Sequence, residues 1–419
     1  MRWRIVSMLV LLACSASASA ALTVHIQQLL ERRIAIGVAD FSGPMAGEAL
    51  GDIIRQDLTH GPGLRVAEQP VRAWQPGVIA YSEASAQEPI AQYIVQGFVQ
   101  QLAPQRFHFS YAVVEPATQQ VIFSGQLKAG NGRWRAVAHH MSDAIYEKLV
   151  GVAGVASRHI IYVQTQGERH QLMIADSDGA GARVLLDSAS PILSPSWSPD
   201  GQRVAYVSFE DGQSAIYSQD LRSGERTRLT ALTGTSAAPS WSPDGQRIAM
   251  ALSAAGNTDI YVYRLSDGDL QRVTEHAAID TEPRWRADGQ SLMFTSDRSG
   301  SAQIYSLDLN AGSTQRVSFA GRFNAHVAID PSQGALATVH DSGDGRYRVA
   351  LFESQRAPWL LSDAALASAP EFAPNGMLLS YTESSASGER IAFVSRDGKQ
   401  RWHWPARAGS QRDAIWSPY

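Results

Sequence analysis

The chain has 419 residues, 44% of them hydrophobic and 18% charged, with a formal net charge of −4 and one cysteine. A chain of this length exceeds what a single hydrophobic core serves, so two domains are expected. No basic tract is present to neutralise a phosphate backbone, which argues against nucleic acid as a partner.

Residues 1–20 read as an export signal: Arg2 and Arg4, an apolar run over residues 5–13, then small residues ending in Ala18-Ser19-Ala20. The run is too short to span a bilayer, and no later segment is long and apolar enough. The mature chain is therefore expected to be soluble, outside the cytoplasm and without a transmembrane segment. Cleavage after Ala20 would leave 34 basic against 40 acidic residues, a formal charge of −6. It would also remove Cys14, and with it any thiol nucleophile, thiolate metal site or disulfide. A competing reading takes Leu11-Leu12-Ala13-Cys14 as a lipoprotein box with lipid on Cys14.

Residues 21–32 come next. Leu22, Val24 and Ile26 alternate with polar Thr23 and His25, a pattern suited to adding a strand to another sheet. Two other readings stand: the first strand of the following domain, or a helical turn over residues 27–32. Residues 33–152 read as an α/β domain, with two helices on a mixed sheet. Residues 33–38 are a buried-strand candidate, and Leu50, Ile53, Ile54 and Leu58 fall on one face of a helix over residues 46–60. Gly61-Pro62-Gly63 stops that helix. Residues 93–99, 106–114 and 120–128 alternate as antiparallel strands, with a turn at Glu115-Pro116-Ala117-Thr118. A second helix over residues 134–149 places Val137, Met141, Ile145 and Leu149 on its apolar side. His139 and Asp143 are four apart on that helix, a spacing suited to a structural hydrogen bond.

From about residue 153 to 419 the chain repeats. Ser196-Trp197-Ser198-Pro199-Asp200-Gly201 returns as Ser240-Trp241-Ser242-Pro243-Asp244-Gly245, and more loosely around Trp285, Asp330, Phe372 and Trp416. The slot Pro199, Pro243, Ala287, Pro331, Pro374, Pro418 advances in steps of 44, 44, 44, 43 and 44. Ser-Pro-Asp-Gly suits a type I turn: Ser accepts a hydrogen bond, Pro presets φ, and Gly relieves the fourth position. Apolar runs at Val204, Ile248, Leu292, Leu336 and Leu379 mark the next strand, with an early copy at Ile160-Ile161-Tyr162-Val163. Ile-Tyr pairs at 216, 260 and 304 mark a third strand, and Arg228 and Arg272 a fourth. Four short strands per period describe a propeller blade, and six copies describe six blades. The first copy lacks an inner strand and the last has only that strand. The C-terminal segment from Asp413 is therefore expected to complete the first blade and close the ring. The repeated Trp and Tyr read as core packing between blades.

These features resemble the TolB family, periplasmic components of the Tol–Pal cell-envelope system, over essentially the whole chain. The resemblance rests on Trp134-Arg135-Ala136-Val137-Ala138-His139 and Ser142-Asp143-Ala144-Ile145-Tyr146 in the second helix, and on Ala175-Asp176-Ser177-Asp178-Gly179. Further support comes from the Trp-Ser-Pro-Asp-Gly copies, Phe294-Thr295-Ser296-Asp297-Arg298, and the terminal Trp-Ser-Pro. It implies a periplasmic binding protein without catalysis or cofactor, serving outer-membrane integrity and envelope constriction at division. Its implied partners are the peptidoglycan-associated lipoprotein Pal, held by the propeller, and the inner-membrane protein TolA, offered the mature N-terminus; other outer-membrane lipoproteins are further candidates. Carried over onto the loops that enter the innermost strands, the resemblance implies a Pal-facing rim of Thr235, Ala238, Asp280, Thr281, Glu282, Phe323 and His326, and a TolA-facing tail with Leu22, Val24, His25 and Ile26.

Two other classes are open to a propeller of this kind: a periplasmic propeller for another ligand, and a propeller hydrolase. No Gly-x-Ser-x-Gly pentad, His-Glu-x-x-His motif or phosphate-cradling glycine loop is present. A cation at the channel mouth on Asp280 or Glu282 is the one metal reading the sequence offers.

Overall fold

The computed structural model describes residues 33–43, 47–67, 91–230, 234–254, 256–332, 334–353 and 356–418. It divides the chain into two units, Met1–Ser157 and Arg158–Tyr419. Among the described residues, no helix is long and apolar enough to cross a membrane.

In the first unit, β1 (Ile34–Val38) pairs in parallel with β2 (Leu64–Val66) and β3 (Tyr93–Ala103). Strands β4 (Arg106–Glu115) and β5 (Gln120–Gly130) continue the sheet antiparallel, in the order β2-β1-β3-β4-β5. Helices α1 (Gly47–Thr59) and α2 (Trp134–Val150) supply apolar stripes to its core. Leu50, Ile54 and Leu58 of α1 and Val137, Met141 and Ile145 of α2 are buried there with Val95, Phe109 and Val113. Gly97 is dictated by this packing, since a Cβ there would meet the Phe41 ring at 2.0 Å. His139 and Asp143 do not serve each other: His139 Nδ1 lies 2.8 Å from Asp57 Oδ2, and Asp143 accepts the backbone N–H of Ala156 at 2.7 Å.

The second unit consists of six four-stranded sheets. Strands β6 (His159–Gln166), β7 (Arg169–Asp176) and β8 (Arg183–Ser188) form the first blade. Strands β9 to β12 lie within residues 192–228, β13 to β16 within 236–272 and β17 to β20 within 280–316. Strands β21 to β24 lie within residues 323–360 and β25 to β28 within 367–403, and β29 is Ser410–Trp416. The innermost strands are β9 (Ile192–Trp197), β13 (Ser236–Trp241), β17 (Asp280–Trp285), β21 (Phe323–Ile329), β25 (Ala367–Phe372) and β29. Each touches the next, and β29 touches both β25 and β9, so the ring is closed. The C-terminal strand pairs antiparallel with β6, Trp416 opposite Ile160 and Ile415 opposite Ile161. The expected six blades and their closure by the two ends of the repeat are both observed; the closing strand begins at Ser410, three residues before the Asp413 expected.

The Ser-Pro-Asp-Gly turn behaves as its composition requires. Gly201 N–H donates to the Ser198 carbonyl at 2.9 Å, with Gly201 at φ 67°, where a Cβ is disfavoured. Ser198 Oγ accepts the Arg203 N–H at 2.8 Å, and Asp200 accepts the Gln202 N–H at 3.0 Å. In four of the six blades a tryptophan stands ahead of the turn slot: Trp241, Trp285 and Trp416 are buried, and Trp285 Nε1 donates to the Ser240 carbonyl of the previous blade at 3.1 Å.

Candidate functional site

The inner strands carry a second repeated device at their other ends. Ser194, Ala238, Glu282, His326, Ala369 and Asp413 are all non-glycine residues at φ between 47° and 56°. They occupy one slot per blade, five residues before the proline slot of the turn. Each coincides with a shift of register in its innermost strand, the mark of a β-bulge. Four are followed by proline (Pro195, Pro239, Pro283, Pro370), which a bulge accepts because no ladder N–H is needed there. A left-handed L-residue costs about 1–2 kcal/mol. The ring therefore holds six local strains, and the residues that bear them line one cavity of about 170 Å³ at the mouth of the channel.

Side chains of this slot reach across to the neighbouring blade. Glu282 accepts the His326 backbone N–H and the Thr295 hydroxyl, each at 2.8 Å, while its other oxygen lies 2.8 Å from His326 Nε2. Asp413 accepts the Ser194 backbone N–H at 3.4 Å in the same sense around the ring. Burial alone would raise the Glu282 carboxyl, but the His326 charge and these hydrogen bonds hold it well below the usual carboxylate range. Burial pulls the His326 imidazole down; Glu282, with help from Asp413, outweighs that and the Arg284 cation to lift it above its ordinary value.

Deeper in, Arg284 Nη2 of β17 lies 3.2 Å from Glu371 Oε2 of β25. This pair separates the mouth from a second cavity of about 250 Å³ towards the Ser-Pro-Asp-Gly turns, lined by Trp197, Trp241, Trp285 and Trp416. Burial pushes the Glu371 carboxyl up, and the opposing pull of Arg284 does not cancel it. Sequence reading missed both residues. The signal was available: in the inward slot Ser196, Ser240, Arg284, Ala328, Glu371, Ile415, only these two carry charge.

Of the seven rim residues expected, the cavity brings together Ala238, Thr281, Glu282 and His326. Thr235 is exposed directly before β13, and its N–H donates to Ser253 Oγ at 2.8 Å. Phe323 is half-buried, edge-on to Tyr347 at 5.1 Å. Asp280 corrects the expectation of a rim contact. It is fully buried and takes both oxygens to Arg298 Nη2, at 3.0 and 2.8 Å, because a buried carboxylate needs a partner. The candidate cation ligands are thus both engaged by protein groups, Asp280 by Arg298 and Glu282 by His326. Leu22, Val24, His25 and Ile26 lie outside the described residues.

Comparison with known proteins agrees with this architecture. The family model of the TolB beta propeller domain matches residues 146–419. The chain is 48% identical over 334 residues to the Tol-Pal system protein TolB of Xanthomonas campestris pv. campestris, covering 78% of this chain and 76% of the relative. The chain belongs to the TolB family. The corresponding Xanthomonas oryzae pv. oryzae protein matches to the same extent. The crystal structure of TolB from Acinetobacter baumannii superposes with a TM-score of 0.82 at 32% identity, over 92% of this chain and 97% of that one. The TolB likeness therefore reaches beyond the propeller into the α/β unit, and it makes this chain a propeller protein of the Tol–Pal system.

Proposed function

We propose that this chain is a non-catalytic periplasmic adaptor that grips the Pal lipoprotein in its propeller mouth and offers residues 21–32 to TolA. In that role it links the two membranes, supporting outer-membrane integrity and envelope constriction during division; other outer-membrane lipoproteins are candidate partners at the same mouth. The observation that carries the reading is the mouth itself, a rigid ring whose cavity of about 170 Å³ is lined by Ala238, Thr281, Glu282 and His326. Small-molecule pockets run from roughly 300 Å³ upwards. A smaller cavity with a wide rim suits one or two projecting side chains of a folded protein better than a substrate. The acid and base in it also hold each other and the neighbouring blade, which suits a fixed recognition surface.

The test is calorimetric titration of the mature chain with the soluble domain of Pal. Thr281→Trp fills the mouth and is expected to weaken binding by more than about tenfold, the scale of a truncated hot spot, with an unchanged unfolding midpoint. Unchanged affinity would place Pal elsewhere. Deleting residues 22–32 is expected to abolish TolA binding and leave Pal binding intact; retained TolA binding would remove the tail from the scheme. If envelope extract yields a different ligand and no Pal, the chain is a propeller for another periplasmic partner.

A further inference from the structure

The position that opens each innermost strand falls at Pro191, Thr235, Ile279, Phe323, Leu366 and Ser410, in steps of 44, 44, 44, 43 and 44. Three successive blades carry large apolar residues there, and the other three do not. Ile279 is 51% exposed and Leu366 52%. Phe323 is half-buried, but Phe319 in the same loop is 73% exposed. The slot of Phe319 holds Ala231 and Glu275 in the two preceding blades and Asp363 one blade on, so a large aromatic there is peculiar to this blade.

These side chains sit on pinned backbone. Ile279 N–H donates to Asp297 Oδ1 at 2.8 Å, and the Leu366 carbonyl accepts the Ser384 N–H at 3.0 Å. Beside Phe319, Ser318 Oγ accepts the Ile304 N–H and donates to Gln303 Oε1, each at 2.8 Å, while the Arg316 guanidinium covers the ring at 5.2 Å. Large apolar surface held in water on ordered loops marks a contact site, and ordering in advance removes much of the entropy cost of association.

We infer that Ile279, Phe319 and Leu366 form an apolar half-rim that anchors the protein seated in the mouth, while the Pro191, Thr235 and Ser410 half contributes little. The inference rests on the reading above that the mouth takes Pal. Continuity with the mouth selects that occupant: Thr281 and Glu282 follow Ile279 by two and three residues, His326 follows Phe323 by three, and Ala369 follows Leu366 by three. The fitting partner surface is an apolar ridge beside one projecting polar side chain. A charged anchor is not called for, since Asp280 and Glu282 in this sector are already paired.

The test uses the mature chain and the soluble domain of Pal. The triple variant Ile279→Ser, Phe319→Ser, Leu366→Ser changes only exposed side chains and is expected to retain the wild-type unfolding midpoint. It should lose more than about tenfold in affinity, with each single change losing about two- to fivefold. Val184→Ser, an exposed apolar residue on β8, should bind as wild type. Wild-type affinity should fall only slightly between low and high salt. A triple variant that binds as tightly as wild type overturns the half-rim while leaving the mouth reading intact. So does one that alters only self-association in sedimentation. A wild-type chain that fails to bind Pal brings down both.

Discussion

The two ends of the innermost strands make opposite use of one repeat. At the turn end, Ser198 and Ser242 accept the same backbone N–H, from Arg203 and Arg247, and Gly201 and Gly245 take the same left-handed turn, at φ 67° and 68°. At the mouth end the backbone repeats equally well, with φ between 47° and 56° in all six blades, yet the residues are Ser, Ala, Glu, His, Ala and Asp. None is glycine, although glycine would relieve the strain. Geometry is thus held at both ends, but the turn keeps one residue type at its left-handed position in four blades (Gly201, Gly245, Gly289 and Gly376, φ 62° to 68°), while the mouth position mixes five types. A scaffold needs the first pattern and a recognition surface the second.

Substitutions at each end can break or sharpen this contrast. The largest effect is expected at the turn end, where Trp416→Ala in the closing strand empties a packed site and should cost about 3–5 kcal/mol in urea unfolding. A small loss would mean that β29 does not hold the ring shut. At the mouth end, Asp280→Ala leaves Arg298 without its buried partner and should cost about 3 kcal/mol. A near-neutral result would return Asp280 to the rim. Glycine exchange gives the sharpest pairing. Gly245→Ala is expected to destabilise by about 1–2 kcal/mol, whereas Ala238→Gly should be neutral or stabilising by less than about 1 kcal/mol. Equal losses at both sites would remove the claim that the mouth ring is strained.

The smallest effect is the pH dependence of the Glu282–His326 pair. Despite its burial, Glu282 is held below its ordinary value, so its contribution is complete above the ordinary carboxylate value of 4.5 and fades as pH falls through the lowered one. His326 is held above its ordinary 6.5, so its contribution is complete below that and fades as pH rises through the raised value. Stability from the pair is therefore greatest between the two ordinary values. With His326 partly open to water the gain stays below about 1 kcal/mol. Glu282→Gln should flatten this profile in unfolding measured from pH 3 to 9; an unchanged profile would show that the pair carries no linkage.

The fold was legible because a 44-residue period with one turn motif announces blades, and because an unpaired first copy and a lone last strand can only complete each other. The α/β unit was legible to the extent that its strands alternate. Strand β2 escaped because three residues after Gly61-Pro62-Gly63 are too few to show a period. At the mouth, four of the residues named from the loops, Ala238, Thr281, Glu282 and His326, line the cavity. Asp280 was misplaced because its burial depends on Arg298, 18 residues along the chain, which no turn signal reveals. The bulge was hidden for a related reason: a left-handed Ala238 or Glu282 leaves no mark in composition, and only the following prolines hint at it.

Hydrogen–deuterium exchange of the mature chain with and without the soluble domain of Pal tests the central assignment most directly. Protection confined to residues 279–283, 319–327 and 366–370, with the turns at 198–201 and 242–245 unchanged, is the predicted result. Protection centred on those turns, or none in the propeller at saturating Pal, would contradict it.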